Sequence, residues 1–120
     1  MEIKREEFRE GIYGVKLNVV EEGKVLAWGI LYIISNERHA EPYAFLENVY
    51  VEQEHRQKGL GTKLLLEAIE EAKRRNCYKI IGTSRFSKEF VHEFYSKYGF
   101  EKWGYEFRMN LKDSEIKQND

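Results

Sequence analysis

An apolar strand that breaks into a short polar turn, and then into a glycine pair opening a long amphipathic helix, constrains this 120-residue chain more than any other stretch. It reads Val49-Tyr50-Val51-Glu52-Gln53-Glu54-His55-Arg56-Gln57-Lys58-Gly59-Leu60-Gly61-Thr62. Two glycines let the main chain come close to a ligand, because no Cβ stands in the way. The first N–H groups of a helix lack intrahelical partners and lie at the positive end of its dipole, so together they form a seat for phosphate. Arg56, Lys58 and Lys63 add positive charge around that seat. A ligand carrying a diphosphate is expected at this turn.

Three glycine loops compete for the assignment. A Walker loop needs Gly-x-x-x-x-Gly-Lys-Ser/Thr, but Gly61 is followed by Thr62-Lys63 and no glycine stands at the upstream position. A dinucleotide fingerprint, Gly-x-Gly-x-x-Gly, finds its first two glycines in Gly59 and Gly61 but Leu64 in third place. It also expects an acidic residue closing a second strand about 20 residues on, where the chain has Tyr78-Lys79-Ile80-Ile81. The pattern Arg/Gln-x-x-Gly-x-Gly/Ala is met in full by Arg56-Gln57-Lys58-Gly59-Leu60-Gly61.

That hexapeptide resembles the pyrophosphate loop of the GNAT superfamily of acyl-CoA-dependent N-acyltransferases. A second motif strengthens the resemblance. Val91-His92-Glu93-Phe94-Tyr95-Ser96-Lys97-Tyr98-Gly99-Phe100 supplies the family's Tyr-x-Lys-x-Gly-Phe ending of a helix, in the right order and after the right intervening strand. Gln53 departs from the family by standing where a proline is usual. The likeness covers about residues 22 to 111. It implies a mixed α/β (α+β) domain over residues 1–120, with a mostly antiparallel sheet flanked by helices.

Periodicity places the elements. Residues 1 to 14 are charged and carry two glycines, and read equally as a short helix or an edge segment. Val15 to Val20 alternates as a strand, Glu22-Gly23-Lys24 signals a turn, and Val25 to Ile34 is apolar enough for a central strand covered on both faces. Tyr43 to Glu52 leads into the loop. Leu60, Leu64, Leu65, Ala68, Ile69 and Ala72 recur at helical spacing as far as Arg75, with Asn76 as the stop. A strand follows at Tyr78 to Thr83, then a helix from Ser87 to Tyr98 ended by Gly99. Tyr105, Phe107, Met109 and Leu111 alternate with polar residues as a half-buried terminal strand. Where the family carries helices between its first two strands, this chain has only its short N-terminal segment, so a second subunit is expected to complete the acceptor wall and a homodimer is expected.

What the resemblance implies for chemistry is specific. The diphosphate of acetyl-CoA would lie on the main-chain N–H groups of Gln57, Lys58, Gly59, Leu60, Gly61 and Thr62, beside Arg56. The pantetheine arm would run along Val49, Tyr50 and Val51, with Gly82 read as compatible with the strand divergence that admits it. A main-chain N–H near Val49 would hold the oxyanion. Tyr95 would return a proton to the leaving thiolate; the bland alternative makes it a core aromatic. The acceptor ammonium, with a pKa of ~10, needs a base. Glu47 is the leading candidate, since strand alternation puts it on the face of Phe45, Val49 and Val51, although an ordered water chain serves in many relatives. Lys88 replaces an asparagine that contacts the cofactor, and Ser87 or Lys88 itself would reach the phosphates. No metal is implied.

Other residues read more plainly. His92 lies one turn before Tyr95 and faces either the same cleft or solvent, while His39 and His55 are loop surface. Cys77 is a small residue after the helix; as the single cysteine it excludes an internal disulfide and fits a reducing cytoplasm. A net charge of −1 argues against general nucleic-acid affinity, and no apolar run is long enough to span a bilayer. The resemblance implies an amine acceptor on a small molecule or peptide. A non-catalytic acyl-CoA-binding or sensing domain, and an RNA-associated or nucleotide-binding module, are the competing readings.

Overall fold

The computed structural model describes residues 1–7, 11–83 and 89–112, and for Glu89 and Phe90 the backbone alone. Strands β1 (Ile12–Glu21), β2 (Lys24–Ile34), β3 (Tyr43–Val51) and β4 (Ile80–Gly82) form one sheet in that order. Among the described residues these are accompanied by helices α1 (Leu60–Arg74) and α2 (Glu89–Lys97) and by a 3-10 turn at Gln53–His55. Two compact units divide the chain, Met1–Ile81 and Gly82–Asp120.

β1 and β2 pair antiparallel from Ile12–Ile34 to Glu21–Lys24. Their connection is the two-residue turn Glu22-Gly23, with φ of 50° and 77°. Two positive values of φ in succession match the right-handed twist of a hairpin, which is why glycine is wanted at the second. β1 begins three residues before the expected Val15, so the glycine-bearing segment around Gly14 is a strand edge. Residues 1–7 carry no regular structure.

β2 is covered differently from the expectation. Ala27 and Leu31 are fully buried and Ile33 nearly so, whereas Trp28, Ile30, Tyr32 and Ile34 are only half-buried. Alternation explains this. In antiparallel pairing, opposed residues share a face, and the buried set of β2 joins Ala44 and Leu46 of β3. α1 closes that face with Leu64, Leu65, Ala68 and Ala72, its apolar stripe. Burying each leucine contributes about 1.5–3 kcal/mol. Just before β4, Tyr78 N–H donates to Pro42 C=O and Lys79 C=O accepts from Ala44 N–H. Partner numbers rise together, so β4 is approached in the same direction as β3.

Both helices stop in the same way. After α1, Asn76 is left-handed (φ 60°), its N–H bonds Lys73 C=O, and Cys77 N–H bonds Ala72 C=O. After α2, Gly99 takes φ 95°, its N–H bonds Ser96 C=O, and Phe100 N–H bonds Tyr95 C=O. Each is a Schellman stop, the arrangement that asks for glycine or asparagine at the turning residue. The expected N-cap, Ser87, lies outside the described residues.

One expected element is missing. Residues 100–112 carry no strand, and Phe107 and Trp103 are each 92% exposed. The alternation of Tyr105 to Leu111 is present in the sequence, but a strand also requires a neighbour for its backbone groups. β4 is likewise shorter than the expected Tyr78 to Thr83.

Candidate active site

The first unit brings the loop and the end of β3 together through a chain of short contacts. Glu52 N–H donates to Leu26 C=O at 2.9 Å, which fixes where β3 ends, and His55 N–H donates back to Glu52 C=O at 2.9 Å to close the 3-10 turn. Arg56 then folds over the strand it follows. Its Nε donates to Val51 C=O at 2.9 Å, and its guanidinium stacks over the Tyr50 ring at 5.4 Å. The Arg56 side chain thus ties the loop to β3. Lys58 Nζ approaches His55 Nδ1 at 3.5 Å and remains exposed with the rest of the loop.

Gln57 and Gly59 both take positive φ, 65° and 78°, the second as N-cap of α1. Lys63 N–H makes the first helical bond, to Gly59 C=O at 3.0 Å. The N–H groups of Leu60, Gly61 and Thr62 precede it and have no acceptor within the helix. No side chain caps this end, and no acidic residue stands in the first turn. A Cβ built on Gly59 or Gly61 would meet no atom of the chain within 4 Å. Open donors, a positive dipole end and unfilled space over two glycines fit an anionic group, and above all a phosphate.

β3 carries an irregularity beside this seat. Trp28 pairs with Tyr50 and Ile30 with Glu47, so Gly29 alone faces both Asn48 and Val49. Asn48 has φ 58°, which makes this a β-bulge with two residues opposite one. A Cβ on Gly29 would lie in ordinary contact with Val49 Cγ2 at 3.4 Å, so the Val49 side chain packs closely over this position. The bulge shifts the alternation by one. Glu47 therefore shares a face with Phe45 and Tyr50, while Val51 lies opposite fully buried Ala27 on the other. This corrects the expectation that Glu47 faces the same way as Val49 and Val51. Its carboxylate is exposed, with the Asn48 amide at 3.5 Å. The bulge was absent from the sequence reading, and Asn48 was its signal: asparagine is one of the few residues that tolerate positive φ. Val49 to Val51 lie at the end of β3 away from its bonds to Tyr78 and Lys79.

In the second unit, Tyr95 is held by its neighbours. Its ring packs on Phe100 at 5.0 Å between centroids, which is the side-chain contact that accompanies a Schellman stop. A Cβ on Gly82 would approach Tyr95 Cε1, Cζ and Oη at 3.0 Å. Gly82 is therefore small because the phenol lies against it, a reason the sequence reading did not find. Burial pushes the Tyr95 hydroxyl above its usual pKa, so the group stays protonated through neutral pH. His92 is half-buried and Cys77 likewise, and burial raises the Cys77 thiol as well, which keeps it unreactive. His39 stacks on Tyr78 at 4.1 Å, a contact that fixes the loop before β3. Lys88 lies outside the described residues. No helix among the described residues is long and apolar enough to cross a membrane.

Comparison with known proteins is consistent with this geometry. The model of the acetyltransferase (GNAT) family matches residues 2–100. A putative acetyltransferase from Agrobacterium tumefaciens is 34% identical, with a TM-score of 0.75 over 82% of this chain and 69% of its own. An acetyltransferase from Trypanosoma brucei is 26% identical, with a TM-score of 0.74 over 82% and 69%. Glucosamine-6-phosphate N-acetyltransferase from Arabidopsis thaliana is 25% identical, with a TM-score of 0.72 over 82% and 67%. No curated protein matches the chain.

Proposed function

We propose, from the premise that the chain belongs to the acetyltransferase (GNAT) family, that it transfers an acetyl group from acetyl-CoA directly to a primary amine of a small molecule or peptide. One observation carries the reading. The first turn of α1 offers the N–H groups of Leu60, Gly61 and Thr62 with no cap, no carboxylate and no side chain over Gly59 or Gly61. Each favourable charge at such a terminus is worth about 0.3–1 kcal/mol, and the diphosphate of coenzyme A brings two. Gln57 and Lys58 complete the loop, while Arg56 holds it against β3. Val49, Tyr50 and Val51 supply strand backbone for the amides of the pantetheine arm.

The transfer itself makes a C–N bond to the acceptor and breaks the thioester C–S bond. As the amine adds, negative charge collects on the carbonyl oxygen, and the main-chain N–H at Val49 serves as its donor. The bulge supports this role, since neither Asn48 nor Val49 is paired with Gly29 in the ladder. Glu47, exposed beside Asn48, takes the amine proton directly or through water. Tyr95 gives a proton to the departing thiolate, and its raised pKa keeps that proton in place until the thiolate forms. The protein works as a cytoplasmic homodimer.

The second reading is an acyl-CoA-binding domain without turnover, in which the loop at residues 56–62 binds and Glu47 and Tyr95 have no part in chemistry. Two measurements separate the readings. Calorimetry with coenzyme A should show binding that ATP does not match at the same concentration in physiological salt. Release of free thiol from acetyl-CoA should then appear with some member of a panel of amines, polyamines, amino sugars and peptides, and fall about 100-fold or more in Tyr95→Phe with coenzyme affinity unchanged. Tight binding without thiol release from any acceptor would favour the sensing domain; no coenzyme binding would remove both.

A further inference from the structure

We propose, resting on the transferase reading above, that the acceptor is an amine with one positive charge and an apolar or aromatic body, seated on the sheet face that carries Glu47, and that polycations are turned away there. The face is built wholly within the first unit. Ladder pairing opposes Ile30 to Glu47, Tyr32 to Phe45 and Trp28 to Tyr50 on it, while the buried residues that meet α1 point the other way. Glu47 is exposed, and the apolar side chains around it are half-buried. Among the described residues of β2 and β3, Glu47 is the only carboxylate. A single anionic group set among rings and an isoleucine suits a ligand with one ammonium and an apolar remainder.

What the rings of this face already hold decides the charge of the occupant. Lys16 Nζ stands 4.9 Å over Trp28, the Arg56 guanidinium 5.4 Å over Tyr50, and Lys79 Nζ 5.1 Å over Tyr43, two residues before Phe45. Each of those rings has its cation. Tyr32 and Phe45 carry none among the described residues, and they are the ring pair next to Ile30 and Glu47 along the ladder. An ammonium at Glu47 gains an ion pair and the faces of these two rings, and the body attached to it covers them and Ile30. A second ammonium on the same molecule meets no further carboxylate on β2 or β3, and has Lys16, Arg56 or Lys79 ahead of it. Lys16 pairs with Ile30, which pairs with Glu47. With strands about 4.8 Å apart, Lys16 and Glu47 are therefore about 10 Å apart at the backbone, roughly the Debye length at 0.1 M salt. Repulsion over that distance acts in dilute buffer and fades in strong salt. Discrimination of this kind comes from what repels the wrong acceptor as much as from what attracts the right one.

Initial rates of thiol release from acetyl-CoA at low ionic strength test this. Phenethylamine should exceed spermidine and kanamycin by about tenfold or more in kcat/KM. Tyr32→Ala should raise KM for phenethylamine about tenfold with kcat and KM for acetyl-CoA held, as loss of an aromatic contact made equally before and during transfer does. Lys16→Glu should narrow the preference over spermidine about tenfold. Added salt should narrow that preference in the parent chain and widen it in Lys16→Glu, a reversal of sign that no general effect on folding produces. Equal or faster turnover of spermidine or kanamycin, or a preference indifferent to salt and to both substitutions, would overturn the proposal and leave the transferase reading standing. Coenzyme binding without thiol release from any of the three amines would overturn it too, and the wider panel of acceptors then decides the transferase reading by itself.

Discussion

At the scale of single residues, two glycines separate by what lies over them. Space above Gly61 is open, and its φ is not among the positive ones, so Gly61→Ala adds a methyl group that the free protein tolerates. Alanine is also the better helix former, by about 1 kcal/mol in a helix interior. The expected result is an unfolding temperature held or raised, with coenzyme affinity reduced at least tenfold in calorimetry, because the methyl group stands where a phosphate would rest. Gly82→Ala should behave in the opposite way. Its Cβ meets the Tyr95 ring at 3.0 Å, so the ring must move at a cost of about 1–3 kcal/mol. Denaturant unfolding should show that loss, with turnover reduced and coenzyme affinity retained. The Arg56-to-Gly61 pattern was legible in the sequence because every contribution to it is local. The face of Glu47 was not, since it depends on a bulge set across two strands by Gly29 and Asn48.

At the scale of elements, α1 was readable nearly to the residue. Apolar spacing, then Asn76 with its tolerance of positive φ, define both its stripe and its end, and Gly99 does the same for α2. The i,i+4 spacing also offers Glu70–Arg74 and Glu71–Arg75; the structure forms the second, whereas Glu70 pairs with Lys73 at 3.7 Å. Arg74 reaches both Glu67 at 2.9 Å and Glu71 at 2.6 Å, and Arg75 reaches Glu71 at 2.7 Å. Hydrogen bonds from Arg74 and then Arg75 hold the Glu71 carboxyl below its usual value of 4.5. A carboxylate with a lowered folded pKa stabilises the protein above its unfolded pKa, and that contribution is lost as pH falls through the folded value. The Arg74 side chain is 56% exposed, so solvent screens this contribution and keeps it small. Glu71→Gln should therefore lower the melting temperature slightly at pH 7, and the difference should shrink as the pH falls through the folded value. The start of β1 was not legible, because charged residues and two glycines preceding a strand carry no periodicity.

At the scale of the whole molecule, the chain is near neutral, with a formal net charge of −1. If a second copy completes the acceptor wall, specific activity should fall on dilution below the dimer's dissociation constant, while coenzyme binding persists; a stopped-assay dilution series with parallel calorimetry checks both. The alternation from Tyr105 to Leu111 is legible in the sequence, but a strand also needs a neighbour for its backbone groups, which a pattern of side chains does not name. The same segment has an optical consequence. The chain has two tryptophans, and they report on different surroundings: Trp28 lies half-buried in the sheet under the Lys16 ammonium, whereas Trp103 stands in solvent. Emission from Trp28→Phe should resemble free indole and be quenched readily by acrylamide. Trp103→Phe should emit at shorter wavelength and resist the quencher, so each unit carries its own built-in fluorophore.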